Sequence, residues 1–103
     1  MKPAAIGAVG AAILVFGHAP GVSAQDASQA RNLAAACFTC HGTDGRSTGG
    51  IPPSIAGQNR NYLLQQLRDF KSGKRPATIM HQQAKGYTDS ELEMLATYFA
   101  GVK

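Results

Sequence analysis

The chain has 103 residues, ten Lys and Arg against six Asp and Glu, three histidines, two cysteines and no tryptophan. At that length one domain is expected. The formal charge of +4 is scattered, with no long basic stripe interleaved with aromatics, which argues against nucleic-acid binding.

Residues 1–24 have the order of a secretory signal peptide: Lys2, an apolar run from Ala4 to Phe16, then His18, Pro20 and Gly21, and a small-residue ending at Val22-Ser23-Ala24. The run is shorter than the roughly 20 residues a membrane span needs. Export with cleavage after Ala24, and no stable membrane insertion afterwards, is therefore expected. No cysteine follows the small residues, so a lipoprotein is not. The mature domain would be residues 25–103, 79 residues with a formal charge of +3. A core of that size usually needs a staple.

Taken in chain order, Asp26 or Ser28 is the expected cap of a first helix running to about Ala36. Residues 42–58 hold five glycines and two prolines without a periodic pattern, so something other than regular structure must order them. A second helix is predicted from about Asn59 to Phe70, with Leu63, Leu67 and Phe70 on one face and Gly73 beyond its end. A linker containing Pro76, Met80 and Gly86 follows. Thr88 and Glu91 then form a capping-box pattern ahead of the Leu92, Leu95, Ala96 and Phe99 stripe, which Gly101 closes. No strand pattern is present, and the expected class is all-α with three principal helices.

The chemistry concentrates in Cys37-Phe-Thr-Cys40-His41. Two ordinary cysteines beside a surface histidine are a poor account, because an exported thiol pair meets an oxidising compartment. A disulfide closing so few residues would constrain little. A thioredoxin-like pair expects a βαβ context that is missing here. Zinc would need His81 as a fourth ligand, with Cys40 and His41 awkwardly adjacent. Covalent attachment of a haem c fits the spacing directly: one helical turn separates two thiols, each able to form a thioether, and the next residue can present an imidazole to the iron. The haem would then be the missing staple. On residues alone, Met80 and His81 compete for the sixth coordination position, an open site is the third possibility, and Met94 reads as a core residue.

These residues resemble those of class I cytochromes c, in particular cytochrome c4 domains and the single-haem cytochrome subunit of flavocytochrome c sulfide dehydrogenase. The resemblance spans residues 28–100. It rests on Cys37-Phe-Thr-Cys40-His41-Gly42, Gly-Thr-Asp-Gly45, Pro53-Ser-Ile-Ala-Gly57-Gln58, Tyr62 to Arg75, Ala77-Thr-Ile-Met80, Ala84-Lys85-Gly86-Tyr87-Thr-Asp89 and Leu95-Ala-Thr-Tyr98-Phe99. It implies the class I cytochrome c fold around one covalent haem, with Cys37 and Cys40 as attachment points and His41 and Met80 as iron ligands. It also implies that the Pro53 carbonyl orients His41 and that Ile55 packs on the haem. Leu95 and Tyr98 should meet the first helix near Leu33, with Ala30 as the nearest small residue to the crossing.

The function that follows is one-electron transfer in the periplasm, without a catalytic centre on this chain. The expected role is the cytochrome subunit of a sulfide dehydrogenase whose flavoprotein partner oxidises sulfide. A freely diffusing carrier is the alternative, and a haem enzyme or sensor with a labile sixth ligand is the alternative of another class. Lys71, Lys74, Arg75 and Lys85 read as a solvated surface or as a rim that steers an acidic redox partner.

Overall fold

The computed structural model describes residues 1–17 and 23–103. Of the expected export signal, His18, Pro20, Gly21 and Val22 lie outside the described residues. Residues 1–17 form no helix or strand and are exposed, and among the described residues no helix is long and apolar enough to cross a membrane.

Among the described residues four helices occur in order, α1 (Ala24–His41), α2 (Arg60–Ser72), α3 (Met80–Lys85) and α4 (Asp89–Ala100), with a 3-10 turn at Thr43–Gly45 after α1. No strand occurs among the described residues, so the fold is all-α. Helices α1, α2 and α4 are the three long ones.

Helix α1 departs from expectation at both ends. In the full 103-residue chain its cap is Ser23, which cleavage after Ala24 would remove; the Ser23 hydroxyl accepts the Asp26 N–H at 3.2 Å and donates to the Asp26 carboxylate at 2.7 Å. Asp26 thus serves in the first turn, where a negative charge suits the helix dipole, and Ser28 is not the cap. At the other end the helix passes through the whole cysteine motif, because nothing in Cys37 to His41 breaks it. Gly42 does: at φ +84 it closes the helix by donating its N–H to the Phe38 carbonyl at 3.0 Å.

The capping box of α4 forms as its pattern suggests, with Glu91 N–H on the Thr88 hydroxyl at 3.1 Å and Thr88 N–H on the Glu91 carboxylate at 2.8 Å. Asn59 caps α2 through Tyr62 N–H at 3.1 Å, and left-handed Gly73 ends it. Helix α3 has no side-chain cap. Too short to be stable by propensity, it forms through packing on α2, which is why the linker showed no periodic signal.

The core gathers Ala34 of α1, Leu63 and Leu64 of α2, and Leu92, Leu95, Ala96 and Phe99 of α4. Leu33, Cys37, Phe38, Ile55, Leu67, Tyr87 and Tyr98 pack around it. Ala34, not Ala30, is the small residue buried where α1 meets α4: it and Ala96 are both fully buried, while Ala30 is half-buried. The two alanines are one turn apart on the same face, so the pattern alone could not choose between them. The α2 stripe is also wider than Leu63, Leu67 and Phe70. Leu64 is buried beside Leu63, while Leu67 and Phe70 are only half-buried.

A candidate haem site at the end of α1

The last turns of α1 present Cys37, Cys40 and His41 within five residues of helix. Cys37 is half-buried and Cys40 exposed, and both are free thiols. Burial pushes the Cys37 thiol above its ordinary value, and the neighbouring Tyr87 side chain partly opposes the shift. The His41 side chain lies inside the fold, with the residue 9% exposed. Its Nδ1 is 2.7 Å from the Pro53 carbonyl oxygen. A carbonyl only accepts, so Nδ1 carries the proton and Nε2 is left with its lone pair. An imidazole held in this way is oriented and made more basic at its other nitrogen, as metal-binding histidines require.

The glycine-rich segment 42–58 reaches Pro53 because a set of directional bonds ties it down. The Gly45 carbonyl accepts from Ile55 N–H at 2.9 Å and Ala56 N–H at 3.1 Å, and Gly57 N–H donates to the Phe99 carbonyl at 2.7 Å. Ser47 N–H donates to the Ser54 hydroxyl at 2.8 Å. Gly45 itself leaves no room: at φ +81, an added Cβ would lie 2.8 Å from both Ile55 Cγ1 and Phe99 Cδ1. Half-buried Ile55 therefore sits between this turn and the core.

Asp44 precedes that glycine with a left-handed φ of 55°, a conformation aspartate tolerates better than most residues. Its carboxylate receives the Tyr98 hydroxyl of α4 and pairs with Arg31 of α1 at 3.5 Å. Arg31 also lies over the Phe38 ring, 5.6 Å from its centroid. Composition and spacing had given no sign of this cluster, which pins the turn after His41 to both α1 and α4.

Met80 is the first residue of α3 and is half-buried. His81 beside it has a buried Nδ1 with no hydrogen-bond partner. Met94, on α4, lines a surface hollow between α1 and α4 and is half-buried. Two apolar side chains adjoin the site residues yet remain exposed, Ile51 at 92% and Ile79 at 53%. Free thiols one turn apart, an oriented imidazole with a free nitrogen, a thioether and uncovered apolar side chains together fit a haem. They do not fit zinc. Among the described residues no group of three or more His, Cys, Asp and Glu side chains is placed to hold a metal ion.

Of the four cations read as a rim, Lys71 is committed to the fold. Lys71 Nζ donates to the Tyr87 carbonyl at 2.7 Å and to Asp89 at 3.0 Å. Arg75 hydrogen-bonds Gln66 and lies 4.6 Å from the Phe70 ring centroid. Lys74, Arg75 and Lys85 are exposed.

An all-α chain that ends its first helix on Cys-x-x-Cys-His and backs the histidine with a carbonyl is a protein of the haem-carrying helical class. The cytochrome c family model matches residues 27–103, and the chain belongs to that family. It is 42% identical over 83 residues to the cytochrome subunit of sulfide dehydrogenase from Chlorobaculum tepidum, a match covering 81% of this chain and 74% of the relative. With cytochrome c4 of Pseudomonas aeruginosa it shares 41% identity over 79% of this chain, which spans only 40% of that protein. A solved structure of Acidithiobacillus ferrooxidans cytochrome c4 superposes with a TM-score of 0.67 at 33% identity, covering 80% of this chain and 53% of that one. A covalently bound haem c and an electron-transfer role follow from the family, and the chain is related to cytochrome subunits of sulfide dehydrogenase.

Proposed function

We propose that this chain is the single-haem subunit of a periplasmic sulfide dehydrogenase, accepting electrons one at a time from a flavoprotein partner that oxidises sulfide. Carrying this reading is the likeness to the C. tepidum subunit, which extends over most of both chains. The leader at residues 1–24 is the basis for the compartment.

Within the site, Cys37 and Cys40 would form the thioethers, and His41 and Met80 would bind the iron. When bound, the haem supplies a ferric–ferrous couple. The protein's own work is to hold ligands still. Pro53 accepts the Nδ1 proton of His41 and fixes which nitrogen faces the metal. A thioether at the sixth position favours reduced iron and raises the potential. With His41 and Met80 both holding the iron, a small molecule would reach it only if Met80 left, which opposes a gas-binding or peroxidase role. Partner steering rests with exposed Lys74, Arg75 and Lys85, because Lys71 is paired with Asp89.

Gel filtration of the protein from its native host tests the complex. Flavin should co-elute with the haem, and sulfide should reduce the haem in those fractions. Elution of the haem protein alone, free of flavin and unresponsive to sulfide, would overturn the subunit reading in favour of a diffusing carrier. The ligand set is tested by Met80→Ala. The ferric parent should show the weak far-red band of methionine-bound iron, and the variant should lose it and bind carbon monoxide once reduced. Retention of the band in the variant would exclude Met80.

A further inference from the structure

All four helices α1 to α4 meet at Tyr87. The residue lies between α3, which begins with Met80, and α4. Its hydroxyl donates to the Leu33 carbonyl of α1 at 3.0 Å. On the other side, its own carbonyl accepts from Lys71 Nζ of α2 at 2.7 Å. Leu33 is four residues before Cys37, so its carbonyl also accepts the Cys37 N–H within the helix. The α1 turn that Tyr87 grips is therefore the one bearing the first thiol.

Helix α3 needs such a grip. It has six residues and no side-chain cap, and it is preceded by Ile79, which is 53% exposed. Nothing local fixes its direction. A phenylalanine at position 87 would pack against the core equally well, and the Leu33 carbonyl already has its helical partner. The hydroxyl adds what packing cannot, a directional tie between chain segments 54 residues apart.

We propose that Tyr87 is a positioning residue for Met80: by fastening the exit of α3 to the Leu33–Cys37 turn, its hydroxyl sets where Met80 stands relative to the turn that carries His41. This rests on the reading of Met80 as the sixth ligand. Lys71 completes the device from the α2 side.

The test is displacement of Met80 by imidazole in the ferric holoprotein, followed through the far-red band. Loss of one hydrogen bond in Tyr87→Phe should lower the imidazole concentration at half-displacement by about three- to tenfold. Lys71→Met, which leaves the hydroxyl in place, should lower it by less, and it supplies the measurement if Tyr87→Phe does not fold. Tyr98→Phe makes the same chemical change on the His41 side, where the hydroxyl meets Asp44, and should leave the midpoint where it is. An unchanged midpoint in Tyr87→Phe, or in Lys71→Met where that is the variant measured, overturns the proposal. So does an equal shift in Tyr98→Phe, which would show that general stability is being read. Absence of the band from the parent overturns the Met80 assignment, and this proposal with it.

Discussion

The two sides of the site are built differently. On the His41 side, Cys37, Cys40 and His41 come from one continuous helix, and the loop back to Pro53 is only 12 residues along the chain. Bonds at Gly45 and Ser47 close that loop on itself, and Gly57 N–H fastens it to the Phe99 carbonyl at the end of α4. On the Met80 side, the residue opens a short uncapped helix whose placement depends on packing against α2 and on the corner at Tyr87, where bonds from α1 and α2 converge. Both sides have long-range ties, but the first carries its three site residues on one helix and packs tightly around Gly45, whereas the second relies on such ties to place a short helix. Under the proposed ligand set, the methionine is accordingly the one expected to leave first under stress.

Substitution at Gly45 tests the close-packed side and carries the largest expected effect. Alanine there would have to adopt φ +81 and would bring a Cβ to 2.8 Å from Ile55 and Phe99. Backbone strain and overpacking each cost about 1–3 kcal/mol, so a loss of about 3 kcal/mol is expected in denaturant unfolding of the holoprotein. On the other side, Thr88→Ala removes the cap that starts α4 immediately after Tyr87. It should cost about 1 kcal/mol. If Gly45→Ala proves no worse than Thr88→Ala, the contrast in packing between the two sides is wrong.

The same contrast governs what could be read in the sequence. The Cys-Cys-His spacing, the glycine and asparagine that bound α2 and the Thr88–Glu91 box are contiguous signals, and they sit where local chemistry decides the conformation. The end of α1 was underestimated, because the motif itself continues the helix until Gly42 forces it to stop. Helix α3 left no trace, since six residues without a cap carry no period and are stabilised only by neighbours distant in the chain. Ala34 and Ala30 were indistinguishable on one face. The Arg31–Asp44–Tyr98 cluster joins residues from three separate elements, and no spacing rule links them. Tyr87 was visible only as part of a stretch resembling the family, without its role as a tie. Legibility thus tracked sequence separation: the His41 side was largely readable, while the Met80 side needed coordinates.

Alkaline pH probes the hydroxyl that pins the His41 side, with the smallest effect of the three. Burial raises the pKa of Tyr98 above its ordinary 10.0, and the hydrogen bond and negative charge of Asp44 raise it further, with Arg31 partly opposing. The neutral phenol is the form the fold favours. Its contribution to stability is therefore complete below pH 10.0 and is lost as the pH rises through the higher folded value. Unfolding free energy of the parent should fall across that window, and Tyr98→Phe should show a shallower fall, since it has no phenol to ionise. Arg31→Gln should steepen the parent's fall slightly by removing the one charge that favours the phenolate. Parallel curves for the parent and Tyr98→Phe would mean that the Asp44 contact contributes nothing to holding the turn after His41, leaving the Gly45 packing and the Pro53 carbonyl to do so alone.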